Sequence, residues 1–335
     1  MTSPRADVQL LQGDAAMSSA PRETAIASSL HGIRGLLLDM DGVVVRKGEP
    51  LPGAAAAVAA LLRQGVPFRL LTNSSLWSRQ SLAHQLQAAG IPVQADRIVT
   101  ALSASAVVAR RRWPTRPIYV LAAPDALREF EGQWLLSDAE AALAGADSGT
   151  AAGLSASATA GPDTPRDARP VAAVIVGDAG PGFTWERLNT AFRLVRGGAR
   201  LVAMHRNPWW LTPSGPTLDS GAFVRALEFA TGQHALLVGK PARAIFRAGV
   251  DSLAAGDAGA GLTGDAVLMV GDDLQTDVAG ARRAGLRAAL VFTGKHGPDD
   301  LETARRRGTS ALPDLVAPAL GEVLAALDPA IRALD

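Results

Sequence analysis

From residue 35 onward the chain alternates short, continuously apolar runs with longer segments whose apolar residues recur every three or four positions. Runs of the first kind predict buried strands, and segments of the second kind predict amphipathic helices. Strands are expected at GLLLD (35–39), PFRLLT (67–72) and IVTA (98–101), with helices over 53–64, 78–89 and 102–112. This βαβαβ order implies a parallel sheet with helices on both faces. The middle of the chain breaks the rhythm. Strand-like PIYVL (117–121) and VAAVIVG (171–177) are separated by a stretch rich in Ala, Gly, Ser and Pro, and residues 145–169 read as a flexible loop. A helix (184–196), a strand (200–204), a Trp/Pro/Gly-rich loop (206–217) and a helix (219–230) follow. The first pattern then resumes: strands at 234–239, 266–271 and 286–292, helices at 241–252, 274–284 and 314–327, and a loop at 254–264. Residues 1–30 show no period and read as a flexible arm. The expected fold is an α/β core, Rossmann-like, over 31–100 plus 234–335, with an α+β domain inserted at 101–233.

Composition narrows the function classes. The chain has 335 residues, 48% hydrophobic and 19% charged, enough for two domains with buried cores. A formal net charge of +1 gives no global pull toward nucleic acid or a membrane surface. The runs Arg110–Arg112 and Arg305–Arg307 read as solvated helix faces. The absence of cysteine excludes disulfides, thiolate metal sites and a cysteine nucleophile. The N-terminus lacks the basic start and apolar core of a secretory signal, and no apolar run reaches the ~18 residues of a membrane span. The expectation is a cytoplasmic protein with no nucleic-acid or membrane partner.

Four polar clusters share one placement, each following an apolar run: Asp39-Met40-Asp41-Gly42, Thr72-Asn73-Ser74-Ser75, Gly239-Lys240-Pro241, and Gly271-Asp272-Asp273-Leu274-Gln275-Thr276-Asp277. Each has an ordinary structural explanation. A DxD can form a turn, TNSS can cap a helix, GKP can turn a strand into a helix, and GDDLQTD can be an acidic helix start. Together, at four strand ends of one parallel sheet, they are expected to converge on one ligand edge. Asp39 and Asp41 side by side at the end of an apolar strand cost free energy unless something compensates.

In this order, DMDGV, TNSS, GKP and GDDLQTD resemble the four motifs of the haloacid dehalogenase-like hydrolases. An insert between the second and third motifs is similar to the subclass with the larger α+β cap (IIA). HRNPWW, LDSGAFVRALEFATG and VFTGKHG further resemble the branch of the phospholysine phosphohistidine inorganic pyrophosphate phosphatases. One departure matters: animal members of that branch carry Ser where this chain has Asp41, so their substrates do not transfer directly.

The resemblance implies a phosphatase of small phosphorylated substrates that uses Mg2+. Asp39 is the implied nucleophile and Asp41 the acid/base. Metal ligands would be the Asp39 and Asp272 carboxylates and the Asp41 backbone carbonyl, with Asp277 holding the metal's water shell or Lys240, and Asp273 a stand-in for part of that work. Thr72, the Asn73 N–H and the backbone N–H groups of Asp41 and Gly42 would bind phosphoryl oxygens, and Lys240 would stabilise developing charge. A closing cap would choose the leaving group through the His205–Trp210 loop. Asn207 is its foremost candidate, with His205 beside it, while Trp209 and Trp210 can equally be packing residues. Asp178 and Lys295 are further candidates for facing substrate. Capped relatives often pair through the cap, which leaves a homodimer open. The alternatives are a regulator that binds a phosphorylated ligand without turnover, and specificity for pyrophosphate or phosphohistidine.

Overall fold

A computed structural model of the chain describes residues 9–10, 32–148, 169–212, 214–256, 259, 261–308 and 312–332. Along the chain the strands are β1 (Gln9–Leu10), β2 (Gly35–Asp39), β3 (Val45–Arg46), β4 (Glu49–Pro50), β5 (Phe68–Thr72), β6 (Ile98–Thr100), β7 (Ile118–Leu121), β8 (Ala173–Val176), β9 (Arg200–Ala203), β10 (Trp209–Thr212), β11 (Gly215–Leu218), β12 (Leu236–Leu237), β13 (Val267–Gly271), β14 (Arg287–Val291) and β15 (Leu315–Ala317). The principal helices are α1 (Ala54–Arg63), α2 (Arg79–Ala88), α3 (Ala101–Arg112), α4 (Asp138–Ser148), α5 (Trp185–Arg196), α6 (Ser220–Thr231), α7 (Arg243–Ala254), α8 (Ala279–Ala284), α9 (Pro298–Arg306) and α10 (Leu320–Arg332).

The chain divides into two compact units. The first comprises Met1–Thr72, Leu82–Val99 and Lys240–Asp335, and the second Asn73–Ser81 and Thr100–Gly239. The first unit is built on a seven-stranded sheet in the order β1-β15-β14-β13-β2-β5-β6. Strand β2 is buried along its whole length, as a central strand covered on both faces must be. Helix α1 buries Ala54, Ala57, Val58 and Leu61, the i, i+3, i+4, i+7 stripe of an amphipathic helix. Strand order reverses between β2 and β13: from β2 the chain steps outward through β5 to β6, then returns to β13 on β2's other side and continues to β14 and β15. In an open parallel sheet such a reversal opens a crevice at the strands' C-terminal ends, where ligands bind.

The second unit has a wholly parallel four-stranded sheet, β12-β9-β8-β7, and an antiparallel hairpin of β10 and β11. Its core joins Tyr119, Leu121, Val174 and Val176 from the sheet to Leu194 of α5 and Val224 of α6.

Several expectations change. The insert, expected to be α+β, combines a parallel sheet that alternates with helices and an antiparallel hairpin. The strand expected at 234–239 shortens to β12 and pairs with β9 of the second unit rather than with the first sheet, Leu236 lying opposite Val202. An apolar run announces a strand without saying which edge it joins. The 206–217 segment, read as a loop, contains β10 and β11, and the terminal helix begins only at Leu320, after the unforeseen β15. Helix α4 extends to Ser148, into the segment read as a flexible loop, whose remainder over 149–168 lies outside the described residues. The N-terminal arm also lies mostly outside them, except Gln9–Leu10, which pairs in parallel with β15. Among the described residues no helix is long and apolar enough to cross a membrane.

Candidate active site

Strand β2 ends at Asp39, and the sheet register brings three of the polar clusters of the first unit to one edge. Leu38 pairs with Val270 of β13 and Asp39 with Leu71 of β5, so Thr72, the last residue of β5, and Asp272, just past β13, each stand one step beyond the residue level with Asp39. Because the strand stops at Asp39, strand alternation does not carry Asp41, contrary to the simplest reading of the sequence. Instead the chain turns sharply: the Val44 and Val45 N–H groups donate to the Met40 carbonyl, at 3.0 and 2.9 Å. Asp41 stays solvent-accessible although protein atoms crowd it on most sides.

Asp39 is buried, and its Oδ1 accepts from the Met40 N–H and from Lys240 Nζ, each at 2.7 Å. Lys240, also buried, reaches Asp277 Oδ1 at 2.8 Å with the same ammonium. Ligand oxygens of Asp39, Asp272 and Asp277 all lie within 4.8 Å of one another. Three carboxylates thus face one ammonium, and the electrostatics register the imbalance. Burial, then Asp277, raise the Asp39 pKa well above the ordinary carboxylate range, although Lys240 opposes them. Burial and Asp277 likewise raise Asp272. Burial alone would lower the Lys240 pKa, but Asp277 and Asp39 outweigh it and the net shift is upward. For Asp41 burial raises the pKa, with Lys240 pulling the other way.

A single π turn, Leu274–Val278, replaces the expected start of an α-helix and carries Asp277. Such turns recur at functional sites because they re-aim side chains. Asp273 has a different job from the one foreseen. Its Oδ1 caps the turn by accepting the Gln275 and Thr276 N–H groups, at 2.7 and 3.1 Å, and its Oδ2 meets Lys295 Nζ at 2.6 Å. Burial would raise its pKa, but Lys295 and the two N–H groups hold it below the ordinary value. Lys295 is therefore engaged by Asp273 rather than presented to a substrate.

Gly42 was expected to offer its N–H to a phosphoryl oxygen, but that N–H donates to the Val45 carbonyl at 2.7 Å. What Gly42 provides is space. A Cβ there would sit 2.3 Å from Asp272 Oδ2, and its φ of +86° is one L side chains rarely adopt.

The remaining candidates belong to the second unit. His205 is 3% exposed, with Nε2 2.8 Å from Ser75 Oγ and Nδ1 accepting from the Asn207 N–H at 3.4 Å. With Nδ1 an acceptor, the neutral ring carries its proton on Nε2. Burial lowers its pKa to about 4. His205 is thus a neutral packing and hydrogen-bonding residue, which corrects its expected role as a substrate ligand. Ser75, within the TNSS motif, also accepts the Asp178 N–H at 2.9 Å. Buried Asp178 spends Oδ1 on the Gly180 N–H at 2.8 Å and acts as a loop anchor. Asn207 is exposed, its carbonyl accepting the Gly221 N–H at 3.1 Å and its side chain bonded to Asp219. Trp209 and Trp210 are exposed on β10 and do not pack the unit's core. Asn73 opens the second unit, directly after Thr72.

Comparison with known proteins places this geometry in a family. Residues 36–133 match the model described as haloacid dehalogenase-like hydrolase, and residues 237–323 a related model of HAD-like hydrolases. The chain is 30% identical over 266 residues to the haloacid dehalogenase-like hydrolase domain-containing protein 2 of Bos taurus, covering 79% of this chain and 86% of that one. It is 30% identical over 277 residues to the phospholysine phosphohistidine inorganic pyrophosphate phosphatase of Homo sapiens, covering 81% and 87%. The crystal structure of a 4-nitrophenylphosphatase from Thermotoga maritima superimposes with a TM-score of 0.70 at 26% identity, over 89% of this chain and 98% of that one. With its acidic trio at the strand-order reversal and its lysine across from it, the chain belongs to the haloacid dehalogenase-like hydrolases.

Proposed function

We propose that the protein is a magnesium-dependent phosphatase that hydrolyses a small phosphorylated substrate through an aspartyl-phosphate on Asp39. The observation that carries this reading is buried Asp39, its Oδ1 2.7 Å from Lys240 Nζ, beside the carboxylates of Asp272 and Asp277. Three carboxylates against one ammonium leave a formal excess of two negative charges, and every donor is a hard oxygen. That is the donor set of Mg2+ rather than of a softer metal. Asp39, Asp272, Asp277 and the Asp41 backbone carbonyl would hold it. When bound, the cation supplies the positive charge that lets an anionic phosphate approach an anionic nucleophile.

The chain's own residues then divide the work. The Asp39 carboxylate attacks phosphorus and the bond to the leaving oxygen breaks, while Asp41 gives that oxygen its proton. The raised Asp41 pKa suits a carboxyl that must start protonated. In the second half, Asp41 as carboxylate takes a proton from water, the water oxygen bonds to phosphorus, and the bond to Asp39 breaks to release phosphate. Lys240 fixes the Asp39 carboxylate and faces the charge that spreads over the phosphoryl oxygens. The Thr72 hydroxyl and the Asn73 N–H are the proposed phosphoryl ligands. Asn207, exposed on its loop, is the proposed specificity residue. Two of the relatives are themselves named phosphatases, which supports phosphoester chemistry.

The test is phosphate release from an aryl phosphate and from a panel of sugar phosphates, nucleotides, pyridoxal phosphate, pyrophosphate and phosphohistidine. Release is expected to require magnesium and to vanish in Asp39→Asn with the fold intact. Full activity in Asp39→Asn overturns the assignment. Binding of phosphorylated ligands without turnover across the panel favours a regulator on the same fold.

A further inference from the structure

The loop after β14, residues 293–297, is tied to both acidic loops of the first unit. The Thr293 hydroxyl donates to the Gly42 carbonyl at 2.5 Å. Lys295 N–H donates to Asp272 Oδ2 at 2.6 Å, and His296 N–H to the Asp272 carbonyl at 3.2 Å. His296 Nδ1 in turn accepts the Leu274 N–H at 3.2 Å. The loop lies so close to Asp272 that a Cβ on Gly294 would stand 1.8 Å from its Oδ2.

These bonds bear on the direction of one carbonyl. A peptide is planar and trans, so its N–H and C=O point opposite ways. The Gly42 N–H is aimed at the Val45 carbonyl, 2.7 Å away. The Asp41 carbonyl shares that peptide and is therefore aimed away from Val45. On the other side of the Gly42 Cα, the next peptide is held by Thr293. A glycine at a φ of +86° has wide conformational freedom, and two hydrogen bonds, one on each flank, remove it.

We propose that the 293–297 loop is a strap that prearranges the acidic site, and that Thr293 is its positioning residue. Its hydroxyl fixes the Asp41–Gly42 turn against Asp272, so that the Asp41 carbonyl and the Asp272 carboxylate stand ready for one magnesium ion. Thr293 itself touches neither substrate nor reacting atoms. This inference rests on the reading that the site takes magnesium, and its test does not depend on turnover.

Magnesium is titrated by calorimetry into metal-free wild type, Thr293→Val and Thr293→Ser. Valine keeps the shape and loses the hydroxyl, and serine does the reverse. Thr293→Val is expected to bind magnesium about tenfold or more weakly, the effect of losing an outer partner of a metal ligand. Thr293→Ser is expected to stay within about twofold of wild type, in line with the retained hydroxyl. In wild type and Thr293→Val alike, circular dichroism should show the same fold without metal. Phosphate release by the valine variant should recover at high magnesium. If Thr293→Val does not fold, Thr293→Ala against Thr293→Ser makes the same comparison. Wild-type magnesium affinity in the hydroxyl-less variant overturns the inference. So does equal weakening in Thr293→Ser, which assigns the effect to the methyl group, and so does a wild type that binds no magnesium. A wild type that binds magnesium more tightly than Thr293→Val, with neither releasing phosphate from any substrate, keeps the strap and removes the phosphatase reading.

Discussion

Lowering the pH from 7 to 5 is expected to loosen the second unit through His205. The folded ring has a pKa of about 4 against an ordinary 6.5, because burial penalises its charged form and Asp178 offsets this only in part. Between those values the unfolded chain takes up a proton that the folded chain refuses. Stability from this residue is therefore fully present above pH 6.5 and is lost as pH falls toward 4. A gap of ~2.5 units at ~1.36 kcal/mol each is on the order of 3 kcal/mol in full, about 2 kcal/mol of it by pH 5. Two neighbours act in the opposite sense. Asp219 Oδ1 lies 3.6 Å from His205 Nε2, and burial raises the pKa of both Asp219 and Asp178, so their protonation stabilises the fold as pH falls. Comparing wild type with His205→Asn at each pH removes most of that contribution. Tryptophan fluorescence during urea unfolding is the assay, because all six tryptophans (Trp77, Trp113, Trp134, Trp185, Trp209 and Trp210) belong to the second unit. Wild type should lose about 2 kcal/mol more than His205→Asn between pH 7 and pH 5. Parallel pH dependences in the two proteins would refute the reasoning.

Two further expectations concern the first unit. Lys240→Met removes the ammonium shared by Asp39 and Asp277 and leaves buried carboxylates unpaired, a loss of roughly 3 kcal/mol at neutral pH. Calorimetric unfolding should show that loss and its partial recovery when magnesium is added; an unchanged melting temperature without metal contradicts the pairing. Gly42→Ala places a Cβ against Asp272 and forces an L residue into a left-handed conformation, costing about 1–2 kcal/mol of stability. Its magnesium requirement for phosphate release should rise at least about tenfold, as displacing a metal ligand does, and a normal requirement would mean that Asp272 tolerates the move.

Much of the catalytic edge could be read from the chain because its logic is local. An apolar run buried on both faces announces β2, and a carboxylate ending that run is costly unless something compensates. The same holds for β13 and Asp272. The first sheet's register brought Asp39 and Asp272 together and the π turn brought Asp277, while Lys240 joins them from the chain just after β12. Readings failed where the outcome depends on a distant partner. Nothing in HALLVG says that Leu236 pairs with Val202 rather than with the first sheet. His205 reads as a substrate ligand because it belongs to a polar and aromatic loop with Arg206, Asn207 and Trp209, yet the buried Ser75 hydroxyl that receives it is 130 positions away in sequence. The Gly42 N–H was assigned to a ligand because a glycine after DxD invites backbone approach. The turn consumes that N–H within three residues. Thr293 stands in VFTGKHG, a segment that resembles the branch, but its partner Gly42 is 251 positions away, so its role could not be read from the sequence.

The central claim is that Asp39 carries the phosphoryl group. Acid quenching during turnover of an aryl phosphate labelled in its phosphoryl group, followed by peptide mapping, tests it most directly. The account predicts an acid-stable, hydroxylamine-labile label on the peptide containing Asp39, absent in Asp39→Asn. Steady phosphate release with no label on that peptide, or with the label on another residue, would contradict it.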